Sequence, residues 1–164
     1  MGIQVVTVVG GGTMGNGIAH VCALSGREVR ITDVSQDVLD AALATIAKNL
    51  DRQVNKEVIS ETGRDEVLER IRPMTDLESA VAGAQLVIEA VPEKVDIKYD
   101  LFRRLDEMAS AEVILASNTS SISITAIGAE TACPDRVIGM HFMNPVPVMT
   151  LIEVIRGLAT SDAT

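Results

Sequence analysis

The feature that most constrains the fold of this chain is a glycine-rich turn between an apolar run and a helical pattern. The run Val5–Val9 leads into residues 10–17, in which Gly10, Gly12 and Gly15 have the spacing G-x-G-x-x-G. In a strand–turn–helix unit, the first glycine permits a tight turn, the second lets the backbone approach a pyrophosphate, and the third lets the helix pack on the strand. The first N–H groups of that helix then face the phosphates at the positive end of the helix dipole. The turn therefore predicts a dinucleotide-binding unit.

A second feature of the same kind is Asp33, which closes the apolar stretch 29–32 and lies eighteen residues after Gly15. An acid at this distance accepts hydrogen bonds from the ribose of a dinucleotide. Its charge would repel a 2′-phosphate, and the next residue, Val34, adds no cation, so NAD is expected rather than NADP. A glycine-rich turn in some other α/β protein is the alternative, and the two features together favour the dinucleotide site.

Composition limits the partners that this chain can have. Its 164 residues suffice for one domain with a real core, and 47% of them are hydrophobic. A net charge of −9 and an aromatic content of 2% argue against binding to nucleic acid or to an anionic membrane. Cys22 and Cys133 are far apart in the sequence, so reduced thiols are expected rather than a disulfide framework or a metal site. With no signal-like start and no bilayer-spanning stretch, a cytoplasmic protein is expected.

Strand and helix patterns alternate along the chain. Apolar runs predict strands at 3–9, 28–32, 71–75, 86–91, 113–116, 136–140 and 149–155. Helices are predicted at 13–25, at 77–82 and from Pro92 onward. Between the second and third strands, residues 36–71 keep helical spacing with a break at 60–63, which predicts an inserted helical hairpin. The expected fold is α/β, a Rossmann-type, doubly wound, mostly parallel sheet that forms a single domain over residues 1–164.

Polar residues are expected at the carboxyl ends of several strands. They are the glycine-rich turn, Asp33, Glu93, residues 118–121 and residues 141–144. Ligands of doubly wound sheets bind at this edge. Loops after strands are polar in any case, but the convergence of so many polar groups on one edge favours a binding site.

His141 is the histidine that the pattern places at this edge. If the chain turns back in a hairpin centred near Pro147, His141 lies across from Glu153. A carboxylate on one ring nitrogen fixes the tautomer and leaves the other nitrogen to take a proton, which describes a general base with an orienting acid. The alternative is a strand-end histidine with a coincidental neighbour. The spacing alone leaves both interpretations open.

Residues 141–149 (HFMNPVPVM), followed by Glu153, form the most specific motif of the chain. Together with the glycine-rich turn, Asp33 and residues 117–121 (SNTSS), they resemble the NAD-binding domain of the L-3-hydroxyacyl-CoA dehydrogenases. The tail 153–157 (EVIRG) is most similar to the bacterial 3-hydroxybutyryl-CoA branch of that family. The resemblance covers essentially the whole chain.

This resemblance implies a hydride transfer between (S)-3-hydroxyacyl-CoA, in particular 3-hydroxybutyryl-CoA, and NAD, giving 3-ketoacyl-CoA and NADH. It implies that His141 removes the hydroxyl proton with Glu153 as its partner. Ser120 would bind the substrate oxygen, and Asn144 would help to place the nicotinamide and the substrate. Asn49 and Lys56 match positions that touch coenzyme A in relatives, although a solvated lysine is the alternative. The implied cofactor contacts are Gly10, Gly12, Thr13, Met14, Gly15, Asp33, Glu93, Lys98 and Asn118.

The family also has a part that this chain lacks. Its members continue into an all-helical second domain, which supplies the dimer interface and the rest of the acyl pocket. We therefore expect a homodimer of the longer protein and an incomplete, weakly active enzyme from residues 1–164 alone. A dehydrogenase of a sugar acid such as L-gulonate and a non-catalytic NAD-binding module are the alternatives. The intact set of Ser120, His141 and Glu153 favours an enzyme, and Lys56 favours an acyl-CoA substrate.

Overall fold

The computed structural model describes residues 2–164, so Met1, the first residue of the predicted domain, lies outside the described part. The described chain forms a sheet of seven strands: β1 (Val5–Val9), β2 (Glu28–Thr32), β3 (Ile71–Met74), β4 (Leu86–Glu89), β5 (Ile114–Ser117), β6 (Val137–Phe142) and β7 (Ile152–Arg156). Their order across the sheet is β3-β2-β1-β4-β5-β6-β7. Strands β1 to β6 run parallel to one another, and β7 runs antiparallel to β6.

Within residues 2–164, a short 3-10 helix (Pro134–Arg136) and six α-helices connect the strands: α1 (Thr13–Leu24), α2 (Gln36–Asn55), α3 (Glu61–Glu69), α4 (Leu77–Val81), α5 (Val95–Met108) and α6 (Ile124–Gly128). On one face of the sheet, α1, α2 and α3 pack against fully buried Val8, Ile31 and Ile88. On the other face, α4, α5 and α6 pack against fully buried Val87 and Leu115. Both faces are covered, so the predicted Rossmann-type, doubly wound, mostly parallel fold is confirmed.

The inserted helical hairpin between β2 and β3 is also confirmed, as α2 and α3. The side chain of Ser35 caps α2 through Val38 N, and that of Ser60 caps α3 through Gly63 N. The break lies at 56–60 rather than at 60–63, because Ser60 already belongs to the start of α3. None of the helices within residues 2–164 has both the length and the apolar composition needed to cross a membrane. The apolar face of α2 packs on the sheet through Leu39, Ala42, Ile46 and Leu50.

Some predicted boundaries near the site are wrong. Pro92 does not open a helix, because α5 begins at Val95 and Glu93 lies in the turn before it. The strand predicted over 86–91 ends at Glu89. Strand β6 runs to Phe142, two residues beyond the prediction, so His141 is part of the strand. The sequence pattern also misses the five-residue helix α6 and the three-residue 3-10 helix, although it predicts the equally short α4 at 77–82.

Candidate active site

The glycine-rich turn joins β1 to α1, and each of its motif glycines has a steric role. Gly10 has a φ of +106°, and a Cβ there would lie 2.7 Å from the carbonyl oxygen of Ala90. A Cβ at Gly15 would lie 1.7 Å from the carbonyl oxygen of Gly10. At Gly12, no described atom other than its sequence neighbours lies within 4 Å of the Cβ position. Gly10 and Gly15 thus serve the packing of the turn, whereas Gly12 leaves open space for a ligand.

The N-terminus of α1 faces this open space with free donors. Its N-cap residue, Gly12, has no side chain, and the first turn of the helix carries no acidic residue. The first N–H groups of a helix have no intrahelical partner, so this end attracts an anion such as a phosphate. A cavity of about 440 Å³ lies beside it, lined by Gly10, Gly12, Thr13, Met14, Asp33, Glu93, Lys98, Asn118 and Ser120 among others. All the predicted cofactor contacts except Gly15 therefore border one cavity.

Asp33 follows β2, and backbone N–H groups fix its carboxylate. Oδ2 accepts a hydrogen bond from Gly11 N at 2.8 Å, and Oδ1 accepts one from Ser35 N at 3.2 Å. Each carboxylate oxygen keeps a lone pair for a ribose hydroxyl. The cation nearest in sequence, Arg30, is engaged elsewhere, because its guanidinium binds carbonyl oxygens at the end of α4, including that of Ala80 at 3.2 Å. The surroundings of Asp33 therefore suit an unphosphorylated ribose.

His141 in β6 lies directly across from Glu153 in β7, so the predicted cross-strand placement is confirmed. Nδ1 of His141 is 2.7 Å from Oε2 of Glu153, and Nε2 is 3.1 Å from Oγ of Ser120. A carboxylate can only accept a hydrogen bond, so Nδ1 carries a proton and Nε2 of the neutral ring is an acceptor. The Ser120 hydroxyl then donates to Nε2. The three side chains form one hydrogen-bonded chain at the carboxyl edge of the sheet.

The loop between β6 and β7 packs on α1 through a glycine. Val146 is buried, and a Cβ at Gly17 would lie 2.8 Å from the Cβ of Val146. Gly17 therefore lets the loop that carries Asn144 lie against the helix that begins at the glycine-rich turn. Asn144 itself is exposed. Asn118 connects β5 to β6, because its Oδ1 accepts a hydrogen bond from Phe142 N at 2.8 Å.

Glu93 lies in the turn before α5 and binds the loop that follows β5. Its Oε1 accepts hydrogen bonds from Ser120 N at 3.0 Å, from Ser121 N at 3.2 Å and from the hydroxyls of Thr119 and Ser121. Burial alone would raise the pKa of Glu93, but these hydrogen bonds and the ammonium of Lys98 lower it to about 2. Glu93 is therefore a carboxylate at any physiological pH.

Two buried residues beneath Glu93, Glu89 and Ser117, are absent from the sequence-based set of site residues. Nζ of Lys98 lies 2.5 Å from Oε1 of Glu89, and the two side chains are 1% and 0% exposed. Oε2 of Glu89 accepts a hydrogen bond from Oγ of Ser117 at 2.6 Å. The sequence contains one signal for this pair, which is the single acid in the apolar stretch 86–91. A buried charge requires a partner of opposite charge. The sequence does not identify that partner.

Asn49 and Lys56 stand apart from this cluster on α2. Oδ1 of Asn49 accepts a hydrogen bond from Arg52 at 3.1 Å, and Lys56 is exposed at the end of the helix. Positions 49, 52 and 56 share a helix face because they are three and four residues apart. Neither Asn49 nor Lys56 lines the cavity beside the glycine-rich turn.

Comparison with known proteins identifies the family. Residues 5–164 match the family model described as 3-hydroxyacyl-CoA dehydrogenase, NAD binding domain. A 3-hydroxybutyryl-CoA dehydrogenase of Bradyrhizobium diazoefficiens is 51% identical over 162 residues, which cover 99% of this chain and 55% of the relative. A probable 3-hydroxybutyryl-CoA dehydrogenase of Bacillus subtilis is 48% identical, with 100% of this chain and 57% of the relative covered. The solved (S)-3-hydroxybutyryl-CoA dehydrogenase of Ralstonia eutropha has a TM-score of 0.95 at 47% identity, over 99% of this chain and 57% of that one.

These similarities extend over nearly all of this chain, which spans about half the length of the curated relatives it matches. They confirm the resemblance that the motifs indicate. The matched family model is that of an NAD-binding domain, and the geometry fits NAD, since the open side of Gly12 and the free N–H groups of α1 suit a pyrophosphate. The carboxylate of Asp33, fixed by Gly11 N, suits the ribose of the cofactor. The fold, the glycine-rich turn and the family match therefore agree on NAD as the cofactor. The chain belongs to the 3-hydroxyacyl-CoA dehydrogenase family, as its NAD-binding domain.

Proposed function

We propose that this chain carries the cofactor site and the catalytic base of an enzyme that interconverts (S)-3-hydroxyacyl-CoA and 3-ketoacyl-CoA with NAD. The preferred substrate is 3-hydroxybutyryl-CoA. The observation that carries the proposal is the hydrogen-bonded chain of Ser120, His141 and Glu153 beside the glycine-rich turn. The names of the relatives in Bradyrhizobium and Bacillus support the choice of substrate.

His141 acts as the base in this proposal. When bound, NAD supplies the acceptor for the hydride that leaves C3 of the substrate. Removing the hydroxyl proton at the same time avoids a protonated ketone, and Nε2 of His141 takes that proton. Glu153 stabilises the imidazolium that results and holds the ring in place. The hydroxyl of Ser120, next to Nε2, donates to the substrate oxygen.

The other residues are assigned to binding. Asp33 holds the adenosine ribose, and Asn144 helps to place the nicotinamide and the substrate. On α2, Asn49 and Lys56 bind coenzyme A, because a cation on an exposed helix face suits a phosphate-bearing ligand. The residues that surround the remainder of the cofactor are Gly10, Gly12, Thr13, Met14, Gly15, Glu93, Lys98 and Asn118.

The whole protein is proposed to contain a second, all-helical domain and to form a homodimer. The relatives in Bradyrhizobium and Bacillus are longer than the part that this chain matches, which is 55% and 57% of their lengths, and this supports the second domain. An apolar surface on β7 and the preceding loop gives further support, because such surfaces mark contacts with another domain or protein. Its exposed side chains are Val148, Met149, Leu151, Ile152 and Val154. Without the completed acyl pocket, residues 1–164 alone turn over substrate at least about a hundredfold more slowly than the whole protein.

A cytoplasmic location is part of the same proposal. The thiols of Cys22 and Cys133 are both unpaired, as is usual in a reducing compartment.

A paired assay tests the proposed function. In a calorimetric titration, residues 1–164 should bind NADH, and no binding by the folded chain at about millimolar NADH would contradict the cofactor assignment. The whole protein is then mixed with NAD and either 3-hydroxybutyryl-CoA or L-gulonate, and NADH formation is followed by absorbance. Formation with 3-hydroxybutyryl-CoA alone supports the proposal. Formation with L-gulonate alone would indicate a sugar-acid dehydrogenase, and formation with neither would indicate a non-catalytic NAD-binding domain.

A further inference from the structure

The end of β6 that carries His141 extends beyond the pairing of this strand with β5. The backbone register between β5 and β6 ends at Ser117 and Gly139, so the last three residues of β6, 140–142, lie beyond it. On the other side, β7 still pairs with these residues, and Glu153 faces His141. Within the described chain, the part of β6 that carries the proposed base is therefore paired with a strand on one side only.

The side chain of Asn118 takes the place of this missing strand pairing. Its Oδ1 accepts a hydrogen bond from Phe142 N at 2.8 Å, and its backbone N–H donates to the carbonyl oxygen of Glu89 at 2.9 Å. Asn118 is thus bonded to β4 by its main chain and to β6 by its side chain. The Phe142 N–H belongs to the planar peptide group that follows His141, so the bond from Phe142 fixes the ψ angle of His141.

The orientation of the Asn118 amide follows from the same contact. A backbone N–H can only donate, so the atom that faces Phe142 N is the acceptor Oδ1, and Nδ2 keeps two donors. None of the side-chain hydrogen bonds within residues 2–164 uses Nδ2, and Asn118 borders the cofactor cavity. The assigned contact with the cofactor therefore uses Nδ2, whereas the contact with β6 uses Oδ1.

We propose that Asn118 is a positioning residue for His141, in addition to its contact with the cofactor. Its Oδ1 fixes the peptide between His141 and Phe142, and the imidazole ring then lies between its two partners. Nδ1 is 2.7 Å from Oε2 of Glu153, and Nε2 is 3.1 Å from Oγ of Ser120, so a change in the backbone at His141 would disturb both contacts. This inference rests on the proposed function, in which His141 is the base.

The test compares two variants of Asn118 in the chain of residues 1–164. Asn118→Asp keeps the acceptor oxygen and loses the two N–H donors, whereas Asn118→Ala loses both kinds of group. Amide hydrogen exchange and the His141 ring signals are measured by NMR without cofactor. In Asn118→Ala, the Phe142 amide should exchange at least roughly tenfold faster, and the His141 ring signals should shift. In Asn118→Asp, the Phe142 amide should keep its protection.

Gln85→Ala is the matched control, because Gln85 makes the same kind of contact at the opposite edge of the sheet. Its Oε1 accepts hydrogen bonds from Gln4 N at 3.0 Å and from Val5 N at 2.8 Å. Gln85→Ala should speed up exchange at Val5. It should leave the Phe142 amide and the His141 ring signals unchanged.

Unchanged exchange at Phe142 in folded Asn118→Ala would overturn the proposal, and so would equally fast exchange in both Asn118 variants. The amides of Ser120 and Ser121 donate to Glu93. They should therefore keep their protection in Asn118→Ala, and a loss there as well would mean that the whole loop has loosened, contrary to the proposal. If Asn118→Ala does not fold, Asn118→Ser takes its place, because its hydroxyl is one bond shorter than the amide and does not reach Phe142 N.

Kinetics of the whole protein separate the positioning of His141 from the contact with the cofactor. At saturating NAD, Asn118→Ala should lower kcat by roughly tenfold to a hundredfold, and kcat of Asn118→Asp should exceed that of Asn118→Ala at least about threefold. NADH affinity should fall at least about threefold in both variants, because both lack Nδ2. Equal kcat values in the two variants would overturn the proposal. If the unaltered whole protein shows no turnover, the proposed function fails, whereas the hydrogen-exchange comparison still decides whether Asn118 positions His141.

Discussion

His20 is a buried titratable residue that lies away from the proposed chemistry. It is fully buried in α1, its Nδ1 has no hydrogen-bond partner within residues 2–164, and its Nε2 lies 3.4 Å from Oε1 of Gln53. Burial lowers the pKa of His20 from 6.5, and the contact with Gln53 offsets only part of this effect. As the pH falls below 6.5, His20 becomes protonated in the unfolded chain before it does so in the folded chain. The free energy of unfolding therefore decreases on the acid side of this value.

Replacing His20 with glutamine should remove this part of the pH dependence. Urea unfolding at about pH 7.5 and about pH 5.5 measures it, and the wild type should lose more stability between the two than His20→Gln does. Glu93 does not affect this comparison, because its pKa is lowered from 4.5 to about 2. Its effect on the free energy of unfolding is lost only as the pH falls between these two values, below the pH range of the measurement. An equal loss in both proteins would show that the pKa of His20 is the same in the folded and unfolded chains, contrary to this account.

Of the two hydrogen-bond partners of His141, one can be predicted from the sequence and the other cannot. Glu153 is predictable, because the register of a hairpin depends on local counting around its turn. The contact with Ser120 is not, because it depends on the parallel pairing of β5 with β6 and on the conformation of a loop held by Glu93. The sequence pattern places Ser120 only among the polar residues 118–121 at this edge, and its role beside His141 comes from the resemblance to a family. The pairing of Glu89 with Lys98 has no local signature at all.

The end of α2 contains a strained residue. Glu57 has a φ of +57°, in the left-handed region, although it is not glycine. Val58 N bonds to the carbonyl oxygen of Gln53 at 2.9 Å, and Glu57 N bonds to that of Val54 at 2.8 Å. This is the Schellman pattern, in which glycine is preferred at the position of Glu57. A side chain in this conformation costs about 1–2 kcal/mol.

Glu57→Gly should therefore stabilise the domain by about 0.5–1 kcal/mol, since the strain removed exceeds the backbone entropy that glycine adds. The midpoint of urea unfolding should rise with an unchanged slope. Glu57→Ala is the matched control, because it removes the same charge and keeps the strained Cβ. If both variants gained equally, the effect would come from the charge and not from the backbone.

Gly12, the N-cap of helix α1, and Gly17, within the helix, have different roles that substitution with alanine can separate. Gly12→Ala places a methyl group in the open space and should weaken NADH binding at least about tenfold, at a cost in stability below about 1 kcal/mol. Gly17→Ala drives a Cβ into Val146 and should cost about 1–2 kcal/mol in stability, even after the better helix propensity of alanine. Urea unfolding and NADH titration of both variants check this. A loss of stability in Gly12→Ala as large as that in Gly17→Ala would contradict the open space beside Gly12.

Among the elements, a helix with a long apolar pattern can be predicted from the sequence. An element whose position or boundary depends on contacts with distant residues cannot. Helix α2 follows from the spacing of its apolar residues between Leu39 and Leu50. The start of α5 does not, because Glu93 resembles a first-turn acid of a helix, while its carboxylate binds the loop after β5. Helix α6 has only five residues, and its position depends on the face of the sheet that it covers.

In the proposed function, cofactor binding and proton transfer are assigned to separate parts of the molecule. The cofactor side is built on β1, α1 and the end of β2, through the glycine-rich turn and Asp33. The proton-transfer side is built on β6 and β7, at the other part of the same edge, through His141 and Glu153. The two meet at the loop after β5, where Ser120 borders the cofactor cavity and contacts His141. A change on one side should therefore leave the other intact.

The most direct test of this division is His141→Gln, measured for two properties. Turnover of 3-hydroxybutyryl-CoA with NAD is assayed in the whole protein, and NADH affinity is measured by calorimetry on residues 1–164. We expect turnover to fall by roughly 10²–10⁴, the range for loss of a general base. The dissociation constant of NADH should stay within about twofold of wild type, because the glycine-rich turn and Asp33 are unchanged. Near-normal turnover with normal NADH binding would contradict the role of His141 as the base and leave its pairing with Glu153 a structural contact.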